Sequence, residues 1–200
     1  MLHRRVFSTM WRSSGVTEMQ AYFRELSEKI FALLTSGSEV LLLNFKGEQS
    51  DFVRFNKSRI RQAGHVAQNR LTLTLIADRR QAKASFDLTI TLAADLALAR
   101  EFLLQLRQQL SFFPEDPYLH YATEIHDTCQ VEKNRLPRAD VAVREVIASA
   151  HDLDLVGLWA GGEVSLGFAN SLGQFNWHVN YNFNFDWSIY SRDDKAIKQS

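Results

Sequence analysis

The sequence predicts an α+β protein, a mainly antiparallel sheet with helices packed on one face, and three features carry that prediction. The run Phe175–Ile189 has an apolar residue at every odd position, from Phe175 and Trp177 to Trp187 and Ile189, and a polar one at every even position. Successive strand side chains point to opposite faces, so this pattern makes one buried and one polar face. Shorter runs alternate in the same way, Leu71, Leu73 and Leu75 among threonines and Phe86, Leu88 and Ile90 among Asp87, Thr89 and Thr91. Stretches of helical period lie between them, and the order helix, strand, turn, strand occurs twice.

Composition sets outer bounds. The 200 residues suffice for one well-buried domain or two small ones. With 23 basic and 23 acidic residues the net charge is zero, so no global field recruits nucleic acid or an anionic membrane. The single cysteine, Cys129, excludes an internal disulfide and agrees with a reducing compartment. The longest apolar runs, such as Val40–Leu43, are far shorter than a membrane span, so a soluble protein is expected.

The elements follow in order. Residues 1–18 carry Arg4, Arg5 and Arg12 but no acid before Glu18, and are read as a disordered or spurious extension instead of a targeting segment. Thr17-Glu18-Met19-Gln20 has the form of a capping box, and Met19, Tyr22, Phe23, Leu26, Ile30, Leu33 and Leu34 share one helical face. Gly37 provides a stop. Glu39–Phe45 reads as a buried strand, Gly47-Glu48 as a turn, and Phe52–Phe55 as the start of another strand. Turn residues at Asp78–Arg80 join the Leu71 and Phe86 runs as a hairpin. Leu96, Ala99, Leu103, Leu106 and Leu110 mark a helix that Pro114 and Pro117 end. A poorly patterned connector leads to Pro137, which opens a third helix with Val143, Val146 and Ile147. Leu153–Trp159 is the next strand, Gly161-Gly162 a turn, and Val164–Phe168 leads into the long alternating run. At about 3.3 Å per residue that run would span roughly 50 Å, so a bend, bulge or break is expected in it.

The repeated order extends to residue identities. The offset that brings Phe55 onto Phe168 also brings Ser58 onto Ser171, His65 onto His178 and Asn69 onto Asn182. A duplication is expected, with repeat 1 at about 19–112, a connector at 113–136 and repeat 2 at about 137–192; residues 193–200 would begin a truncated continuation. The alternation falls out of phase after Val66, which calls for a bulge or a one-residue insertion.

Chemistry-bearing patterns are sparse. No two of the histidines, His3, His65, His120, His126, His151 and His178, are spaced i, i+4, and no H-E-x-x-H occurs, so no metal ligand is assigned. Cys129 and His126 lie three residues apart with nothing to orient the histidine, which makes an incidental cysteine the better reading. Gly161-Gly162 lacks the lysine of a phosphate cradle. The basic residues Arg54, Lys57, Arg59, Arg61, Arg70, Arg79, Arg80 and Lys83 meet only Asp78 among them. Such a set can bind nucleic acid, guard a sheet edge, or meet a partner or a peptide carboxylate. The four asparagines on the polar face of Phe175–Ile189 are either solvated or a wall of amide donors and acceptors for an extended ligand.

Two segments carry a resemblance. Gly167-Phe-Ala-Asn-Ser-Leu-Gly-Gln174, followed by Trp177-His178 and Phe183-Asn-Phe-Asp-Trp-Ser188, resembles the TldD/PmbA family of zinc-peptidase-like proteins, formerly described as modulators of DNA gyrase. Val53–His65 looks like the first N-terminal signature of that family. The resemblance implies an N-terminal domain with internal symmetry, in a cytoplasmic assembly of paralogous subunits of which one holds zinc. The domain would shape a chamber for unfolded peptides, or act as a non-catalytic scaffold or peptide-binding subunit. The family's H-E-x-x-x-H is absent here, so no cofactor is expected in this chain, zinc is expected in an absent catalytic half or a partner, and the chain alone should be inactive. Candidate contacts to peptide or partner are Arg54, Asn56, Arg59, Arg61, His65, Asn170, His178 and Asn182.

Overall fold

A computed structural model of the chain describes residues 14–35, 37–191 and 195–199, the side chains of 14–17 excepted. Its elements are α1 (Ser14–Phe31), β1 (Val40–Asn56), β2 (Arg59–Ala77), β3 (Arg80–Asp87), α2 (Leu92–Leu110), β4 (Thr128–Val131), α3 (Ala139–Ser149), β5 (Asp154–Asn170), β6 (Phe175–Tyr190) and β7 (Ala196–Gln199). The fold is α+β, as the alternation predicts. One sheet runs β3-β2-β1-β5-β6-β4, with β7 also paired to β6. All pairings are antiparallel except that of β4 with β6.

Two tight hairpins set the long registers. Lys57 and Ser58, at φ 51° and 54°, join β1 to β2, and Asp78 and Arg79, at φ 49° and 58°, join β2 to β3. Two consecutive positive φ values give the turn twist that matches the strands. The β1–β2 register slips once, between Arg54 and Phe55.

Several expectations are corrected. Gly47-Glu48 and Gly161-Gly162 are not turns, since both lie inside continuous 17-residue strands. Gly162 is needed for a close approach instead: a Cβ there would lie 2.1 Å from the Gln49 carbonyl oxygen of the neighbouring strand. The expected break in Phe175–Ile189 is also absent, because β6 runs for 16 residues in uninterrupted register with β5. The connector at 113–136 contains a strand, β4, and Thr17 lies within α1 instead of capping it. Residues 1–13 lie outside the described residues, as does the charged start of the final segment at 192–194.

The helices cover one face of the sheet, in two separate places. Phe23, Leu26 and Ile30 of α1 and Ala99, Leu103 and Leu106 of α2 meet Leu41, Leu43, Phe45, Leu71, Leu73, Leu75, Trp177 and Val179 in the larger core. Gly167 leaves room for the Phe23 and Trp177 rings over β5, since a Cβ there would lie 2.6 Å from Phe23. Val143 and Ala150 of α3 meet Val53, Phe55, Leu155 and Trp159 at the other end of the same strands. Polar groups tie the larger core together. Arg107 makes a two-pronged contact to Glu39 at 2.7 and 2.8 Å and donates to the Leu33 carbonyl, joining α2 to the loop after α1. Asp95, fully buried, accepts from the Thr89 and Ile90 amides, the Thr89 hydroxyl and the Tyr22 hydroxyl.

Candidate functional site: the helix-free sheet face

Strand parity sorts the residues of the sheet into its two faces. The odd positions of β1, β5 and β6 face the helices, so the even positions form the helix-free face. On β6 these are Asn176, His178, Asn180, Asn182, Asn184, Asp186 and Ser188, a polar rail. On β5, between the polar ends Asp154 and Asn170, they are Val156, Leu158, Ala160, Gly162, Val164, Leu166 and Phe168, every one without a polar side chain. β5 is therefore apolar on most of both faces, the pattern of a strand covered on two sides. Yet Leu166 is 44% and Val156 is 37% exposed.

Near one end of this face a cavity of about 390 Å³ opens among Asn44, Lys46, Arg70, Leu166, Phe168, Asn176 and His178. Asn176 is fixed there by donating to the His126 carbonyl and the Thr128 hydroxyl, both at 2.8 Å. Arg70 is partly neutralised by Asp87 at 2.9 Å, and among the described residues Lys46 forms no ion pair. An apolar floor flanked by amides and cations suits extended polypeptide, whose backbone offers carbonyls to such donors.

The candidate residues do not form one site. His178 and Asn182 share the helix-free face, and Asn182 reaches Asn180 at 3.4 Å. His65 lies on the opposite, helix-bearing face, where it meets Asp51 at 2.8 Å, so the two histidines are not equivalent neighbours of one passage. The offset matching His65 to His178 is odd and exchanges faces, although the helix–hairpin order does recur in the fold. Asn170 is buried and structural: its side-chain carbonyl accepts from the Leu172 and Gln174 amides and shapes the β5–β6 turn. Arg54, Asn56, Arg59 and Arg61 gather at the tip of the β1–β2 hairpin.

The basic set divides as well. Arg79 and Arg80 sit at the far turn, held by the Pro117 and Phe113 carbonyls and by Glu115. At about 3.3 Å per residue the 19-residue β2 separates them from the hairpin tip by roughly 60 Å. Arg70 and Lys83 lie between those ends, so the set is spread along β2 and β3 and does not gather in one patch.

Two smaller features complete the polar chemistry. On the helix-bearing face, between the two cores, Glu163 accepts from Ser165 and from Tyr181 at 2.8 Å. Burial, with the Glu163 carboxylate beside it, pushes the Tyr181 hydroxyl up to about 12. Cys129 is exposed and receives a contact from Gln20 Nε2 at 3.4 Å, while His126 pairs with Glu124. No group of three metal-ligating side chains exists among the described residues, and no helix among them is long and apolar enough to cross a membrane. Lys46, Leu166 and Phe168 were not among the sequence candidates. The missing signal was legible in the even positions of β5.

No family model and no curated protein matches the chain. Solved structures do. A candidate modulator of DNA gyrase from Thermotoga maritima MSB8 is similar with a TM-score of 0.60 and 13% identity, over 88% of this chain and 41% of that one. TldE from Thermococcus kodakarensis is similar at 0.57 and 11% identity, over 88% and 40%. A candidate modulator of DNA gyrase from Bacteroides thetaiotaomicron VPI-5482 is similar at 0.55 and 14%, over 90% and 43%. The likeness establishes a shared fold, and this chain spans about two fifths of the length of those structures.

Proposed function

We infer that the chain, having the fold of part of TldE and of candidate gyrase modulators, belongs with the TldD/PmbA-type proteins. In this reading it is the N-terminal domain of a cytoplasmic proteolytic assembly and forms a wall of a chamber for unfolded peptides. The observation that carries the reading is the helix-free face, with its bare apolar strand β5 beside the asparagine rail of β6. Exposed apolar surface rimmed by amides suits a polypeptide with changing side chains, because the amides can address the backbone that all peptides share.

The zinc of such an assembly does not fit this chain. Its described histidines and carboxylates form pairs, as at His65–Asp51, and never a three-ligand set. The ion then belongs to a catalytic half or a paralogous subunit, and no bond-breaking step runs through the residues described above. A second reading, a non-catalytic scaffold or peptide-binding subunit, draws support from the same lack of ligands.

Turnover of an unstructured fluorogenic peptide by the assembled subunits tests the chamber. Leu166→Asp puts a charge on the apolar strip at an exposed position, so the chain should still fold. Peptide turnover is expected to fall at least about tenfold, the scale of ~1–3 kcal/mol for an unpaired polar group placed on a contact surface. Unchanged turnover with intact folding would overturn the chamber reading. Loss of subunit association with normal intrinsic turnover would favour the scaffold.

A further inference from the structure

A row of directly paired residues crosses the helix-free face where the cavity opens. From β3 to β4 it runs Asp87, Arg70, Lys46, Leu166, His178 and Gln130, and the row beside it holds Asn44, Phe168 and Asn176. Directly paired side chains share a face and stand about 5 Å apart at Cβ. Lys46 and Arg70 therefore meet across β1 and β2 as like charges, an arrangement that opposes strand pairing. Asp87 relieves only Arg70, at 2.9 Å. Glu48, the next residue of this face on β1, is turned to Ser50 and Gln68 instead. No carboxylate lines the cavity of about 390 Å³, so its positive charge is left without an anion.

The uncommitted groups are arranged around an apolar floor. Leu166, 44% exposed, and the half-buried Phe168 form that floor. Asn176 is committed, since it donates to His126 and Thr128 and accepts from Gln174. Lys46, Asn44 and His178 make no side-chain hydrogen bond among the described residues. Lys46 and Asn44 lie on the β1 side of the floor and His178 on the β6 side. Two strand spacings, about 10 Å, separate Lys46 from His178. A ligand that satisfies all three carries an anion and an apolar group side by side, with a hydrogen-bonding group beyond. An inorganic anion would leave Leu166 and Phe168 uncovered and His178 unused.

We propose that this cavity binds the carboxylate end of an apolar amino-acid unit: Lys46, assisted by Arg70 and Asn44, takes the carboxylate, Leu166 and Phe168 take the side chain, and His178 meets the adjoining amide. Such a unit bears its carboxylate, side chain and amide on one carbon, which matches their convergence on one floor. It is either the last residue of a polypeptide or a free N-acylated amino acid. The first source rests on the reading of the chain as a peptide-handling domain; the charge arrangement follows from the sheet register alone.

The test titrates the 200-residue chain at low salt, followed by NMR, with three probes. These are acetyl-Gly-Ser-Gly-Ser-Leu with a free carboxylate, the same peptide as its C-terminal amide, and N-acetylleucine. The acid should bind at least about tenfold more tightly than the amide, the scale of a hydrogen bond to a charged group, and should shift the resonances of Lys46, Leu166 and His178. Lys46→Met keeps an unbranched apolar stem at an exposed position, so it should fold normally, and it should abolish the preference for the acid. N-acetylleucine binding as tightly as the peptide acid would support the proposal with free small acids as the source, and much weaker binding would support it with polypeptide ends. Equal affinity for acid and amide, an acid preference that survives Lys46→Met, or no binding at millimolar concentration would each overturn it. The ratio of acid to amide is read on this chain alone, so its failure is distinct from a failure of the turnover experiment at Leu166, which does not depend on the carboxylate.

Discussion

Asp95 shows how much of this fold hangs on one carboxylate. Thr91, the residue before α2, gives no side-chain cap, and Asp95 collects the amides of Thr89 and Ile90 from inside the first turn. Burial alone would raise its pKa, but the bonds from Tyr22, Thr89 and Ile90 outweigh it and hold the carboxyl below its ordinary 3.8. A group lowered in the folded state stabilises fully above its unfolded value, and that contribution is lost as pH falls through the folded value. Urea unfolding between pH 7 and pH 2 should therefore show a loss of stability below about 3.8 that Asp95→Asn diminishes. At pH 7 the Asp95→Ala variant should be destabilised by ~2–3 kcal/mol, as expected when bonds to a charged, buried acceptor are removed. A pH profile identical in both proteins would show that the carboxylate is not ionised in the fold.

At the scale of an element, β6 is two strands in one. Its odd positions are buried under α1 at Phe175, Trp177 and Val179, then half-exposed at Phe185 and Trp187, and open at Phe183. Trp177→Ala should cost ~3–5 kcal/mol as a large buried deletion. Phe183→Ala should cost under ~0.5 kcal/mol as a surface change, despite the identical position in the alternation. Denaturant midpoints of the two variants measure the contrast, and similar losses would mean that Phe183 is covered. β5 carries the complementary constraint. Gly162→Ala should destabilise by more than ~2 kcal/mol, because its Cβ would meet backbone at 2.1 Å and 2.6 Å and not a side chain that could turn away. Recovery of the parent midpoint in this variant would show that β1 and β5 can separate there.

At the scale of the whole molecule, the expected outcome is a folded chain without chemistry of its own. Elemental analysis of the purified 200 residues should find no stoichiometric zinc, and peptide hydrolysis should be at background, because ligand sets of three are lacking among the described residues. One zinc per chain with hydrolysis would refute this. Much of this molecule was legible in advance. The α+β class, the three main helices, the Asp78–Arg79 hairpin and the buried side of β6 all follow from periodicity, which depends on neighbours a few residues apart. Glycine was misread at Gly47 and Gly161-Gly162, since a sequence signals conformational freedom without saying whether a turn or a crowded neighbouring strand requires it. His65 and His178 looked paired in one dimension and lie on opposite faces, and the basic residues looked clustered and are spread along the length of β2 and β3. The first of these relations depends on the register between strands more than a hundred residues apart in the chain, as at Leu42 and Asn170. Periodicity fixes which side of a strand is apolar; only the tertiary pairing decides which strand lies beside it, and so which edge and which face remain uncovered.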